Sequence, residues 1–408
     1  MSAMQRLFEL MAERRASDLF VSSGAPINIK VNGVTAPLSA QIVRPETVRA
    51  LMGEILTAPQ LAEFEREQEL NVAYPVRSLG SYRISAFIQR GSPALVVRYI
   101  PFEVPAFDSL GLPPILKSIA LEPRGLVLMV GATGSGKSTT IAAMIDHRNA
   151  TMTGHIITVE DPIEFLFKHK KSIVNQRELG SDAKSYRVAL KNALRQAPDV
   201  ILIGEIRDQE AMTMAVAYAQ SGHLCLATLH ANNSYQALNR VISFYPIENR
   251  AALLQDLSSS LRCIVSQRLV RTSKGTRAPA VEVLINTRHV AELIEQGNIN
   301  QIREAIESSL APGSQSFEQA LFDMWQRGMV DKETALNHAD SSNNLLWLMN
   351  NYTDPSTQPP ARAPSPPAAT RDSREQREQR EPALAGAAGS SDASFSQIRI
   401  HFEEKTLD

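Results

Sequence analysis

Eight consecutive residues, Gly131-Ala132-Thr133-Gly134-Ser135-Gly136-Lys137-Ser138, set three glycines, a lysine and a hydroxyl at a spacing suited to a polyphosphate. The glycines let backbone N–H groups turn inward around phosphate oxygens, and a helix opening at the lysine adds its N-terminal partial positive charge. Lys137 then contacts the β- and γ-phosphates, and Ser138, followed by Thr139, offers a hydroxyl to Mg²⁺. Two acidic sites follow, Glu160-Asp161-Pro162-Ile163-Glu164 and Glu205. Phosphoryl transfer is mostly positioning and charge stabilisation, so it needs one carboxylate for the magnesium shell and another to orient or deprotonate water. His223 and His230 bracket HLCLATLH, and their separation puts them at opposite ends and on opposite faces of a strand. That argues against a metal pair; such a histidine reads either as a hydrogen-bonded structural residue or as a γ-phosphate sensor. Arg195 and Arg207 fall near the same edge, and Arg83, Arg90 and Arg98 lie earlier in the chain.

These groups need a rigid sheet to present them. After Pro123, apolar runs alternate with helical segments: GLVLMV, 137–150, HIITVE, 185–196, DVILIGE, 208–221 and HLCLATLH. Strands that are apolar at every position, separated by helices, predict a parallel sheet covered on both faces, with ligands at the carboxyl ends of its strands. Residues 235–270 and 288–350 read as helical, with Leu253, Leu254, Leu257 and Leu261 on one face. Upstream, Leu7, Leu10, Met11 and Arg14 carry the period of an amphipathic helix over 4–15. DLFVS, INIKV, YRISAFI and ALVVRYI read as strands, VNG as a hairpin turn, and 45–69 as helical, which makes a small α+β domain. Four prolines between Pro101 and Pro114 mark a linker, with a boundary near residue 110.

The chain has 408 residues, enough for two domains and appended material. With 42 basic and 43 acidic residues, a net charge of -1 provides no global field for nucleic acid or anionic lipid. No run of 18 uncharged apolar residues occurs, and Arg6, Glu9 and Glu13 interrupt the start where a signal peptide would be apolar, so a cytoplasmic location is expected. Cys225 and Cys263, the two cysteines, cannot build a four-cysteine zinc site. From Thr353 the composition turns to Pro, Ser, Ala and charge, with seven of the 23 prolines, and predicts a disordered tail over 353–408. Ile398, Ile400 and Phe402 alternate near its end and suit either a short docking strand or an unstructured terminus.

Four segments in order, GATGSGKST, ITVEDPIEF, PDVILIGEIRD and SGHLCLATLHANN, resemble the Walker A, aspartate-box, Walker B and histidine-box motifs of the type IV pilus retraction ATPases, a family of secretion-type P-loop ATPases that drives twitching motility. The likeness spans about residues 4–345. It implies an α/β fold: a PAS-like N-terminal domain (1–110), then a RecA-like ATPase domain with a C-terminal helical subdomain (111–352), assembled as a homohexameric ring with ATP and Mg²⁺ between subunits. Carried onto this chain, Lys137 and Ser138 hold phosphate and Mg²⁺, Glu164 is the general base, and Glu205 supports Mg²⁺ directly or through water. Glu160 and Asp161 complete the aspartate box, His223 and His230 report the nucleotide, and Arg83 and Arg98 reach it across the ring. Walker B usually ends in Asp-Glu; here it ends in Gly204-Glu205, a departure from the usual pattern. INTRHVAELIEQG and SQSFEQALFDMWQRG look like the accessory member of the family rather than its principal motor. The resemblance further implies a paralogous retraction ATPase and an inner-membrane pilus platform protein as partners, at the cytoplasmic face of the inner membrane.

Other readings weigh against these residues differently. A pilus-assembly or type II secretion ATPase shares the core but usually carries the four-cysteine element missing here. A regulatory ring subunit that docks on a catalytic paralogue has no need of an intact Lys137, Glu164 and Glu205. A nucleic-acid translocase fits poorly with near-neutral charge and no basic aromatic stripe, so no nucleic acid is expected.

Overall fold

The computed structural model describes residues 2–352 apart from 32, 77, 78, 102 and 103. The expected disordered tail and its apolar alternation therefore lie outside the described residues.

Six antiparallel strands form the first sheet: β1 (Asp18–Ser22), β2 (Pro26–Val31), β3 (Val34–Ile42), β4 (Glu69–Val76), β5 (Gly80–Gln89) and β6 (Ser92–Pro101), in the order β3-β2-β1-β6-β5-β4. β2 and β3 meet at Val31↔Val34, and Gly33 takes the positive φ of 83° that so tight a connection demands. Helices α1 (Ala3–Glu13), α2 (Pro45–Ile55) and α3 (Ala58–Glu67) accompany this sheet. The buried face of α1 is Met4, Phe8 and Met11, not the expected Leu7–Leu10–Met11 stripe. Both sets have helical spacing, and the ring of Phe8, stacked on buried Tyr82 at 4.1 Å, decides which one faces inward.

Seven strands form the second sheet: β7 (Gly125–Val130), β8 (Gly154–Glu160), β9 (Ser172–Glu178), β10 (Val200–Ile203), β11 (Leu224–Leu229), β12 (Leu261–Arg271) and β13 (Arg277–Ile285). Their order is β13-β12-β7-β11-β10-β8-β9, parallel throughout except for the antiparallel β12–β13 pair. Short α4 (Ile115–Ala120) precedes β7, while α5 (Lys137–Thr151), α6 (Tyr186–Ala193), α7 (Gln209–Gln220), α8 (Ser234–Ser243) and α9 (Ile247–Ser260) fill the connections. Leu126, Leu128 and Val130 of β7 enter one buried cluster, and Val127 and Met129 enter another on the opposite face. This is the doubly covered α/β sheet that unbroken apolar strands require.

One strand assignment contradicts expectation. Residues 261–271 continue the apolar run after α9 but form β12 beside β7, so Leu261 opens a strand rather than extending the leucine face of a helix. A short run rich in Ile264, Val265 and Val270 is equally apolar on either period, and the edge of β7 decides it. Ser172–Glu178, for which the sequence pattern predicts no element, forms the parallel edge strand β9, with Ser172 and Val174 buried at alternate positions. Beyond β13, α10 (Arg288–Glu295), α11 (Ile302–Glu307), α12 (Phe317–Gln326), α13 (Lys332–His338) and α14 (Ser342–Asn350) follow as the helical pattern anticipates. Among the described residues no helix is long and apolar enough to cross a membrane.

Candidate nucleotide site

The connection from β7 to α5 carries the glycine-rich loop, and β8, β10 and β11 deliver Glu160, Glu205 and His230 to the same carboxyl-end edge of the sheet. β10 ends at Ile203 and Asp208 caps α7 by accepting from the Ala211 N–H at 2.8 Å, so Glu205 lies in the short connection just beyond the strand end. Thr133, Gly134, Gly136, Lys137, Ser138, Thr139, Glu160, Asp161, Glu164, Glu205 and His230 line one cavity of about 450 Å³. Gly131, Ala132 and Ser135 shape the loop from behind. Gly131 and Ala132 present carbonyl oxygens 2.7 and 2.9 Å from the Lys137 Nζ, which donates to both. A Cβ on Gly131 would meet the Ser135 Oγ at 2.4 Å, so only glycine fits.

Burial lowers the Lys137 pKa, and the nearby carboxylates of Glu205 and Glu164 oppose that shift. Glu160 is the buried acid of the group: burial pushes its carboxyl up to about 7, against hydrogen bonds from the Thr158 hydroxyl (2.6 Å) and the Gln176 amide (3.1 Å). Glu205 is clasped on both oxygens. The Arg207 Nε donates to Oε2 at 2.7 Å, the His230 Nε2 lies 3.1 Å from Oε1, and Arg207 also reaches Asp161 at 3.2 Å.

His223, expected to report the nucleotide, lies away from this cavity. It precedes the six-residue β11 while His230 follows it, roughly 20 Å away along the strand. Its Nδ1 lies 3.0 Å from the Ser221 hydroxyl, and it does not line the cavity. Arg83 and Arg98 do not line it either; they face each other in register on β5 and β6, with the Arg98 Nε 2.9 Å from Asp18 Oδ1. The cavity also draws on Phe165, Phe167, Thr228, Leu269 and Arg277, which the sequence reading did not single out. Leu269 and Arg277 come from the β12–β13 pair, and no spacing rule connects that hairpin to a glycine loop more than 120 residues earlier.

Hard oxygen donors fit Mg²⁺: Ser138 and the carboxylates of Glu205, Asp161 and Glu160 share the cavity wall. Among the described residues no three His, Cys, Asp or Glu side chains form a metal cage.

A glycine-loop α/β sheet with acids at its strand ends defines a P-loop nucleotide-binding protein. The model of the Type II/IV secretion system protein family matches residues 5–320, and the chain belongs to that family. It is 48% identical to the type IV pilus ATPase PilU of Pseudomonas aeruginosa over 85% of this chain and 91% of that one. It is 37% identical to the pilus retraction ATPase PilT of the same organism, over 83% of this chain and 98% of that one. A crystal structure of the pilus retraction motor PilT with bound ADP superposes with a TM-score of 0.79 at 36% identity, covering 85% of this chain and 99% of the other. The chain is thus a secretion-type ATPase of the PilT/PilU kind.

Proposed function

We propose that this protein is a Mg²⁺-dependent ATPase that powers type IV pilus retraction and twitching motility, of the accessory PilU type. The observation that carries the reading is the convergence of Lys137, Ser138, Glu164 and Glu205 on one cavity. The higher identity to PilU than to PilT, 48% against 37%, favours the accessory type.

The loop's N–H groups and Lys137 bind the phosphates, with Lys137 exchanging its bonds to Gly131 and Ala132 for phosphate oxygens. When bound, Mg²⁺ neutralises the β- and γ-phosphate oxygens; Ser138 and Glu205 would hold it, Glu205 directly or through water. Glu164 is the better base of the two aspartate-box glutamates, being exposed on its loop, whereas Glu160 is buried, tied by Thr158 and Gln176, and partly protonated near neutrality. The contact of His230 with Glu205 at 3.1 Å supports a role for this histidine in registering the γ-phosphate. We further propose a homohexamer in which Arg83 and Arg98 reach a neighbour's nucleotide, with a domain division near residue 110. The partners are a paralogous retraction ATPase and the inner-membrane platform protein, at the cytoplasmic face. The tail from 353 serves recruitment rather than hydrolysis.

The test is ATP turnover with Mg²⁺ in wild type, Lys137→Ala and Glu164→Ala. Lys137→Ala should lose nucleotide affinity, and Glu164→Ala should keep affinity but lose turnover. Undiminished turnover in Glu164→Ala would move the base elsewhere.

A further inference from the structure

Gln267 belongs to none of the four motifs, yet it is the residue against which the phosphate loop is built. It lies on β12 immediately after Ser266, whose register partner is Val130, the last residue of β7 before the loop. Its side chain is 2% exposed. The amide nitrogen donates to the Ser135 carbonyl at 2.8 Å, and the amide oxygen accepts from the Thr140 hydroxyl at 2.8 Å. A carbonyl only accepts, so the nitrogen must face Ser135 and the oxygen Thr140. One planar group therefore ties the middle of the loop to the first turn of α5.

Contact with both ends of the loop is equally close. A Cβ on Gly131 would stand 2.6 Å from the Gln267 carbonyl, and one on Gly136 would stand 2.7 Å from its amide nitrogen. Gly136 is the N-cap of α5, at φ 87°, and no side chain caps the helix there. Gln267 leaves the N–H groups of that first turn free and instead holds the residues on either side of Gly136 through the Ser135 carbonyl and the Thr140 hydroxyl. Its neighbour on the other face of β12, Arg268, has its guanidinium 3.9 Å from the Phe317 ring of α12, which anchors the strand on the side away from the nucleotide.

We propose that Gln267 is a positioning residue for nucleotide binding: its amide fixes the Ser135 carbonyl and Thr140 so that the loop's N–H groups converge on the phosphates. This rests on the nucleotide reading of the cavity. Replacement by Leu keeps the volume but strips both bonds, leaving the Ser135 carbonyl and the Thr140 hydroxyl unpaired in a buried place.

The experiment uses the full chain and a fluorescent ADP in EDTA, so that no metal contributes, together with the rise in melting temperature that ADP produces. Gln267→Leu should weaken ADP binding about tenfold and shrink the ADP-induced rise, while the folded spectrum is retained. Thr140→Val removes one bond without changing shape and should weaken ADP about threefold; in the Gln267→Leu background it should add little, because the two act as a unit. A folded Gln267→Leu that binds ADP as wild type does, or that melts lower with an undiminished ADP-induced rise, overturns the proposal and leaves Gln267 as packing. Should Gln267→Leu not fold, Thr140→Val with wild-type affinity overturns it alone. A wild-type chain that binds no ADP overturns the nucleotide reading and the proposal together.

Discussion

A side chain on Gly204 would run into Glu160: an added Cβ would stand 3.0 Å from the Glu160 Cα, 3.0 Å from the Tyr186 hydroxyl and 3.1 Å from the Val159 carbonyl. The Gly204 N–H continues the β10–β8 ladder by donating to Val159 at 2.8 Å, so parting the two backbones would stretch that bond. This explains why the second acidic motif ends in Gly-Glu. An Asp at 204 would aim a carboxylate into the backbone of the neighbouring strand, and the acid is presented one residue later.

Gly204→Ala should therefore destabilise the fold by about 1–3 kcal/mol, the usual cost of forcing one carbon into a packed interior. Gly204→Asp should cost more, because it adds a larger side chain and a charge beside Glu160. Urea unfolding checks both, and an Ala variant with an unshifted midpoint would show that the strands have room to separate.

Glu160 gives the protein a pH-dependent stability of defined sign. Its carboxyl sits at about 7 in the fold against an ordinary value of 4.5, because burial penalises the charge. Between these values the folded chain keeps a proton that the unfolded chain releases, so stability falls as pH rises from about 4.5 to 7 and levels off above. Glu160→Gln keeps an oxygen for Thr158 and Gln176 while removing the charge. It should flatten that slope and stabilise the fold at pH 8, by at most about 3 kcal/mol. Melting temperatures of both proteins across pH 5–8 decide it, and parallel curves would remove Glu160 as the cause.

The parts of this site legible in the sequence are those whose chemistry is local. Lys137 and Ser138 follow directly from a loop that must wrap phosphate, and Glu205 follows from an apolar strand ending in an acid. What could not be read is carried by tertiary pairing. Leu261–Arg271 is apolar enough for helix or strand, and its pairing with β7 alone brings Gln267 and Leu269 to the loop. β9 is half polar, so its role in holding Gln176 under the aspartate-box loop left no periodic trace. His223 is a motif position that the length of β11 keeps away from this cavity.

Gln176 tethers the loop that carries Glu164. Its amide donates to Glu160 at 3.1 Å and to the Phe165 carbonyl at 2.8 Å, and accepts from the Phe167 N–H at 2.9 Å. Gln176→Leu should loosen residues 161–167 and lower turnover by about ten- to a hundred-fold through misplacement of Glu164, with ADP affinity kept. Hydrogen exchange should quicken at Phe167, whose N–H loses its acceptor. Turnover equal to wild type would mean the loop is held by other contacts, such as the Ile163 N–H donating to Glu178 at 3.1 Å.

Arg83 and Arg98 stand directly opposite each other on β5 and β6, a like-charge pair that antiparallel pairing disfavours. Asp18 offsets Arg98, whereas among the described residues Arg83 makes no ion pair. Under the proposed function, two guanidinium groups side by side on one sheet face, away from the chain's own cavity, would meet an anion held by another subunit. In the proposed ring that anion is the neighbour's nucleotide, and the charge completed there is the one a single P-loop subunit lacks. Arg83→Ala should then hydrolyse ATP at least tenfold more slowly while binding ADP normally. Mixed with Lys137→Ala, which cannot bind nucleotide but keeps Arg83, part of the activity should return, since some interfaces pair an intact loop with an intact arginine. Native mass spectrometry of differently tagged subunits establishes co-assembly. Mixed rings that stay as inactive as either variant alone would count against an arginine acting across the interface.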